Sequence, residues 1–261
     1  MIEVDLQVLL CHVLQKPRSF LLTYPDYRLS SEEEARFNHL KIRYEQGEPL
    51  AYLLGTQGFW KHTFMVSPAV LIPRPETELL LEFAIKNASP GARVLELGTG
   101  SGCLAISFAL ERADCEVIAV DFSVDALAIA NQNAKQIGAG SQRLDRLQFI
   151  QSNWFEALSG QRFDFIMSNP PYIAEADLHL KDLTHEPALA LVSGATGLDA
   201  LTLLIQQGVQ YLNVGAILAV EHGYDQGGAV QHLFHQAQYQ KIATLSDIQG
   251  HPRITWGRTK C

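Results

Sequence analysis

The chain changes its hydrophobic rhythm near residue 73. Up to about residue 55, apolar side chains recur at helical spacing. VDLQVLLCHVLQ (residues 4–15) follows this pattern, and Pro17 stands just beyond it as a stop. SSEEEARFNHLKIRYEQG (30–47) offers Ser30 or Ser31 as a cap, acids in its first turn and Gly47 after its end. GFWKHTFMVSP (58–68) alternates enough for a short hairpin or connector. Beyond residue 73 the apolar runs shorten: RVLELGTG (93–100), CEVIAVD (115–121), LQFIQS (147–152) and FDFIMSNPP (163–171). Helically patterned segments such as SVDALAIANQNAKQIG (123–138) separate them. Further on, LTLLIQQGVQYL (201–212) reads as helix, GAILAVEHG (215–223) as strand, DQGGAVQHLFHQAQ (225–238) as helix and RITWGR (253–258) as a last strand. Strands alternating with helices predict βαβ units and a mainly parallel sheet. The pattern therefore predicts a helical N-terminal domain with a short β connector over 1–72, and an α/β domain over 73–261. No internal repeat interrupts it.

Composition narrows the function more than the fold. At 261 residues, with 47% hydrophobic and 18% charged residues, the chain can bury a substantial core. No apolar run approaches the roughly 20 residues that span a bilayer. The opening Met1-Ile2-Glu3-Val4-Asp5 is acidic and resembles neither a secretory nor a transit signal, so a cytoplasmic location is expected. The four cysteines (Cys11, Cys103, Cys115, Cys261) lack C-x-x-C spacing and no H-E-x-x-H occurs, so no metal is expected. A formal net charge of −8 argues against a protein that grips nucleic acid through its phosphates.

Chemistry enters at two places. In LELGTGSGCLAI, the segment Gly98-Thr99-Gly100-Ser101-Gly102 follows one predicted strand and opens a predicted helix. Glycines there permit a tight turn and close ligand approach. The dinucleotide fingerprint would place glycine at 103, where this chain has Cys103. Asp121 ends the next strand, where a carboxylate can accept from ribose hydroxyls. The alternative is a plain βα turn, with Asp121 capping the helix that starts at Ser123. Turn, acid and βαβ setting together favour a nucleoside cofactor, and the absent third glycine favours S-adenosylmethionine over NAD. Glu96 either faces that ligand or orients the loop.

The second place is Asn169-Pro170-Pro171-Tyr172, at the end of the fourth predicted strand of the α/β domain. Two prolines can neither continue a helix nor donate to a sheet ladder. Both motifs then stand at carboxyl ends of parallel strands, where open α/β sheets bind ligands. A planar NH2 group is a poor nucleophile because its lone pair is delocalised. Two acceptors, one per N–H, fix its plane and raise electron density on nitrogen. The Asn169 side-chain oxygen and the Pro170 carbonyl suit that task, and Tyr172 can supply an aromatic wall. Orientation of this kind contributes about 7–11 kcal/mol when geometry is good. No strong general base is needed, because the product sheds its proton after transfer.

These features resemble the glutamine-N5 methyltransferases of peptide chain release factors, the PrmC/HemK family, over nearly the whole chain. LIPRPETELL (71–80), ELGTGSG (96–102), NPPYI (169–173), HEPALALVSGATGLDAL (185–201) and DIQGHPR (247–253) match its blocks in order. The resemblance implies a Rossmann-like class I S-adenosylmethionine-dependent methyltransferase domain with a seven-stranded, mostly parallel sheet. It also implies a small helical N-terminal domain that docks the protein substrate. By the same resemblance Gly98 to Gly102 and Asp121 hold the donor, Trp154 flanks its adenine, and Asn169 contacts both donor and target. Asn169, Pro170, Pro171 and Tyr172 would hold the glutamine of a Gly-Gly-Gln loop in class 1 release factors. QSNWF (151–155) departs by carrying Asn153 where the family commonly has Asp. Adenine-N6 methylation of DNA or RNA is the rival reading, since an exocyclic amine poses the same problem. Arg74 and Glu76 read equally as functional or as a helix start, Glu186 as a solvated loop carboxylate, and Cys103 as packing beneath the turn. His179 and His185 are given no role.

Overall fold

The computed structural model describes residues 4–260. The chain divides into two compact units, 1–57 and 58–261. The first is helical: α1 (Val4–Leu14), α2 (Arg18–Thr23), α3 (Ser31–Glu45) and α4 (Leu50–Leu54). Ser30 is the cap of α3. Its hydroxyl accepts from the Glu33 N–H, and the Glu33 carboxylate accepts from the Ser30 N–H, a reciprocal box. α1 buries Leu9, Val13 and Leu14, and its Asp5 accepts from the Tyr44 hydroxyl of α3 at 2.6 Å.

A two-stranded ribbon follows, β1 (Thr56–Phe59) with β2 (His62–Met65). The elements after it are α5 (Thr77–Asn87), β3 (Arg93–Leu97), α6 (Cys103–Glu111), β4 (Glu116–Asp121), α7 (Val124–Ile137), β5 (Leu147–Gln151) and β6 (Phe163–Ser168). The chain then continues through α8 (Asp199–Tyr211), β7 (Leu212–Glu221), α9 (Gly227–Gln236), β8 (Gln240–Ser246) and β9 (Pro252–Arg258). Among the described residues the large sheet has seven strands in the order β5-β4-β3-β6-β7-β9-β8. All pairs from β5 to β7 are parallel, and β9 runs antiparallel to both β7 and β8.

The central strands β3, β4 and β6 are buried on both faces, as parallel strands under helices must be. Alternate residues sort to opposite sides. Val94, Val117, Ala119, Phe165 and Met167 join one core with α5 and α6. Leu95, Leu97, Ile118, Val120 and Ile166 join the other with α8 and α9. Two details differ from the sequence pattern. β7 begins at Leu212, three residues before the apolar run, by way of Gly215 at φ 73° and a register shift against β6. β8 has no counterpart in the sequence pattern because an edge strand buries so little: QKIATLS has no fully buried residue, and its register slips beside Lys241 at φ 53°.

Candidate active site

Strand pairing brings the two motifs side by side. Leu97 of β3 is in parallel register with Ser168 of β6, so Gly98 and Asn169 leave neighbouring strands at one end of the sheet. The Ser168 hydroxyl donates to the Leu97 carbonyl at 2.7 Å and ties those ends together. Strand order reverses here, with β4 on one side of β3 and β6 on the other. Open α/β sheets bind ligands at such a point. A cavity of about 600 Å³ opens above it, within the range that accepts small molecules.

The glycine turn is held from below and behind. The N–H groups of Gly98 and Thr99 both donate to the Val120 carbonyl of β4, each at 2.9 Å. Glu96 is buried and accepts from the Thr99 hydroxyl at 2.6 Å and the Ala105 N–H at 3.1 Å, stapling the turn to α6. Of its two expected roles, Glu96 takes the loop-orienting one. Burial pushes its carboxyl up to about 8, against those two bonds. Gly100 has φ 55°, and a β-carbon there would meet no protein atom within 4 Å, so its backbone faces open space. Gly102, at φ 79°, serves packing instead. A β-carbon there would lie 2.9 Å from Ile106 Cδ1 and 3.1 Å from Ala130 Cβ, where α6 meets α7.

Asp121 links the turn to the next helix. Its Oδ2 accepts from the Gly100 N–H at 2.8 Å and its Oδ1 from the Ser123 N–H at 2.9 Å. Ser123 itself caps α7, accepting from the Ala126 N–H. Burial raises the Asp121 pKa, and the backbone N–H groups of Gly100, Ser123 and Phe122 oppose that rise. A carboxylate offers about four acceptor sites, so capacity remains for ligand hydroxyls. Trp154 borders the cavity with φ 50°, a left-handed backbone uncommon for a bulky residue. Ser152 secures that backbone by donating to the Trp154 carbonyl at 2.8 Å and accepting from the Ala157 N–H at 3.0 Å. The indole lies 3.6 Å from where a β-carbon on Gly98 would stand, so ring and turn share a wall. Asn153 also lines the cavity, with its amide nitrogen donating to Glu156 at 2.7 Å.

The lining thus brings together Gly98, Gly100, Asp121, Trp154, Asn169 and Pro171. Thr99, Ser101, Gly102, Pro170 and Tyr172 stand behind it. Pro170 is buried. The Tyr172 ring packs with the second core, and the aromatic surfaces at the cavity are Trp154 and Phe122. The Tyr172 hydroxyl lies 3.4 Å from Glu221 Oε1, and its carbonyl accepts from Gln226 Nε2 at 2.9 Å. Burial and the neighbouring Glu221 charge raise the phenol's pKa.

Two walls are joined across the cavity. One carries Ala69, Val70 and Leu71, and the other carries Pro187, Leu189, Ala190 and Val192. Glu186 accepts from the Ile72 N–H at 3.0 Å and pairs with the Arg74 guanidinium. The expectation of a solvated loop carboxylate is corrected here: the Glu186 side chain is only 3% exposed, because the ion pair and the N–H draw it under the loop. Glu76 is the N-cap of α5 and makes no side-chain capping bond.

Sequence reasoning passed over Thr77 and Glu221. Thr77 accepts from Asn169 Nδ2 at 3.0 Å. Glu221 ends β7, fully buried, and burial pushes its carboxyl up to about 7. A lone acid closing an otherwise apolar strand was the available signal for Glu221. Among the described residues, no cluster of three or more His, Cys, Asp or Glu side chains is placed to hold a metal ion. No helix among them is long and apolar enough to cross a membrane.

Comparison with known proteins supplies the family. Residues 75–218 match the methyltransferase small domain, and residues 2–55 match the PrmC N-terminal domain. Over 260 residues the chain is 43% identical to a release factor glutamine methyltransferase of Aliivibrio fischeri, covering 98% of this chain and 90% of that one. The protein of the same description from Escherichia coli K12 is 41% identical over 257 residues, covering 97% and 91%. Among solved structures, a Pyrococcus furiosus methyltransferase superposes with TM-score 0.59 at 14% identity, covering 86% of this chain and all of that one. A T. thermophilus 16S rRNA N2 G1207 methyltransferase, solved with AdoMet and guanosine, gives TM-score 0.56 at 18% identity, over 78% of this chain and 50% of that one. At these identities the solved structures speak for the fold alone.

Proposed function

The chain belongs to the release factor glutamine methyltransferase family, and on that premise we propose the reaction and the roles of its residues. It moves a methyl group from S-adenosylmethionine to the side-chain nitrogen N5 of a glutamine, that of the Gly-Gly-Gln motif in class 1 peptide chain release factors, and so modulates translation termination in the cytoplasm. The observation that carries this reading is Asn169 beside the glycine turn: one cavity holds an amide acceptor and a nucleoside-type cradle on adjacent strands.

The residues present fit the donor. Asp121 has acceptor capacity for ribose hydroxyls, Trp154 offers a flat face for adenine, and Gly98 and Gly100 allow close approach of the backbone. When bound, S-adenosylmethionine supplies an electrophilic methyl group on its sulfonium. The rest is done by side chains and backbone of this chain. Asn169 Oδ1 and the Pro170 carbonyl accept from the two N–H bonds of the target amide, which holds its plane and enriches its nitrogen. The rigid Pro170-Pro171 pair keeps those acceptors aimed. Water takes the surplus proton after transfer. The slender Gly-Gly approach to the target glutamine suits a slot bounded by Pro171 and Asn169.

The test offers labelled S-adenosylmethionine with a purified class 1 release factor and an unmethylated oligonucleotide side by side, and locates the label by peptide mass spectrometry. Label on the Gly-Gly-Gln glutamine is expected. Label only on adenine overturns the substrate while keeping the nitrogen chemistry, and label on neither overturns the proposed reaction.

A further inference from the structure

Three loops at the carboxyl end of the sheet meet on one side-chain amide, that of Gln226. This residue is half-buried at the N-cap of α9, just beyond β7. Its Oε1 accepts from the Gly223 N–H at 2.9 Å. Its Nε2 donates to the Tyr172 carbonyl at 2.9 Å and to the Gly197 carbonyl at 3.4 Å. The partners belong to the turn after β7, the segment leaving β6 and the loop before α8. All three are backbone groups with fixed roles: an N–H only donates and a carbonyl only accepts. The amide therefore has one orientation, with its oxygen toward Gly223 and its nitrogen toward the two carbonyls.

The tetrapeptide needs such a hold because Pro170 and Pro171 have no N–H with which to tie their backbone down. Their rings fix φ, so the segment moves as a unit about its two ends. The Asn169 end continues β6, whose Ser168 is bound to Leu97. At the other end the Ile173 N–H donates to the Leu191 carbonyl and the Ser193 N–H to the Ile173 carbonyl, each at 2.9 Å. Those bonds join one loop to another, and Gln226 joins both to the sheet. Gly223 is itself braced by His222, which is fully buried. The His222 N–H donates to the Arg253 carbonyl of β9 at 2.9 Å, and its Nδ1 donates to the Gly223 carbonyl at 2.8 Å. The fit around the amide is close. Gly197 has φ 74°, and a β-carbon there would overlap the Tyr172 carbonyl oxygen and stand 2.8 Å from Gln226 Nε2.

We propose that Gln226 is a positioning residue for methyl transfer: by clamping the Tyr172 carbonyl to the end of β7, it keeps the two acceptors of the tetrapeptide aimed at the target amide. The inference rests on the reading of Asn169 and Pro170 as those acceptors. Gln226 lies outside the cavity lining, so it acts through Tyr172 and not on the reacting groups. The Pro170 carbonyl stands two peptide units from that of Tyr172, and the prolines between them transmit a displacement instead of absorbing it. A misplacement of about 1 Å in such a constellation can cost about a hundredfold in rate. A residue that merely closed the turn into α9 would need the Oε1 bond to Gly223 alone. The two Nε2 bonds are what the turn does not require.

The experiment uses the full chain and a purified class 1 release factor. Gln226→Met removes all three bonds at similar length. Gln226→Glu keeps an oxygen for the Gly223 N–H and puts an acid at the start of α9, where the helix dipole favours it, but it loses both donors. Both variants are expected to lower kcat about tenfold or more, with Glu no faster than Met. KM for the release factor and the calorimetric affinity for S-adenosylhomocysteine should stay within about threefold, because only the aim of the acceptors is lost. A readout independent of turnover comes from two dipeptides that each occur once in the chain, Tyr172-Ile173 and Pro171-Tyr172. Protein labelled with 13C-carbonyl Tyr and 15N-Ile gives one correlated NMR signal, which reports the Tyr172 carbonyl. Labelling with 13C-carbonyl Pro and 15N-Tyr reports the peptide before it. Both signals should move in both variants.

A wild-type kcat in Gln226→Glu reduces the residue to a turn former and overturns the inference. An unmoved Tyr172 signal does the same, as does a Pro171–Tyr172 signal that stays in place while the Tyr172 carbonyl moves. Donor affinity that falls in parallel with kcat also overturns it, since that is a general loosening of the fold. Should Gln226→Met fail to fold, Gln226→Glu decides alone. The Asn169→Ala rate separates the two levels. Full activity there removes the acceptor reading and this inference with it, whereas an inactive Asn169→Ala beside a fully active Gln226→Glu removes the clamp alone.

Discussion

Arg74→Ala tests whether the ion pair with Glu186 holds the two walls of the cavity together. The substitution leaves a carboxylate whose side chain is 3% exposed with one remaining partner, the Ile72 N–H at 3.0 Å. Removing one member of a buried pair costs about 3–5 kcal/mol when nothing replaces it. Arg74 is 33% exposed, so water partly takes its place, and the surviving N–H softens the loss. An expected cost of about 2 kcal/mol follows once the exposed side of the pair is discounted. In a domain of this size that lowers Tm by about 4–8 °C. Differential scanning calorimetry of the full chain reads it directly. Because the pair joins the wall of Ala69–Leu71 to that of Pro187–Val192, affinity for S-adenosylmethionine should also fall, by about five- to tenfold for roughly 1 kcal/mol of lost closure. Glu186→Gln keeps an acceptor for Ile72 and should cost less than Arg74→Ala. A cycle of the two should show a coupling well beyond the ~0.5 kcal/mol scatter of independent sites. A Tm within about 1 °C of wild type, together with unchanged donor affinity, would refute the clasp, since even half the expected cost exceeds that shift.

Three further outcomes follow from the same geometry. Asp121→Ala frees the Gly100 and Ser123 N–H groups and removes the proposed acceptor for the ribose, so donor affinity should fall about tenfold or more in calorimetric titration; an unchanged affinity would remove Asp121 from the donor site. Gly102→Ala forces a β-carbon to 2.9 Å from Ile106 at φ 79°, and should destabilise by about 1–3 kcal/mol in urea unfolding; a neutral effect would show that α6 and α7 can separate freely. Glu96→Gln concerns pH. The folded carboxyl is raised to about 8 from the ordinary glutamate value, so its contribution to stability is present in acid and is lost as pH rises through that window. Glutamine can accept the same Thr99 and Ala105 bonds without titrating. Its Tm should therefore fall less steeply between the two values than that of the wild type, and parallel curves would disprove the burial argument.

The local physics of the chain made much of the fold legible. Leu95, Leu97, Ile118, Val120 and Ile166 sit in short apolar runs that alternate with helically patterned segments and so read as parallel strands, and they are that. Ser30 and Glu33 declare the start of α3 because a capping box is a contact between residues three apart. β8 is different. Its half-exposed residues gain their strand from pairing with β9, and nothing in QKIATLS by itself demands it.

The sequence by itself determined the turns and strand ends to which the chemistry is assigned in the proposal. Gly98 to Gly102, Asp121 and Asn169 to Tyr172 are read from backbone requirements that operate over a few residues. Only the tertiary structure decided which of them meet the cavity and which residues support them. Gly100 faces open space while Gly102 packs against Ala130, a distinction set by where α7 lies. The supporting contacts span long stretches of chain: 112 residues from Arg74 to Glu186, 92 from Thr77 to Asn169 and 49 from Tyr172 to Glu221. A polar side chain in a loop or at a strand end carries no local mark of being buried. Its partner arrives from another element, and strand order, which sequence periodicity does not encode, determines which element that is.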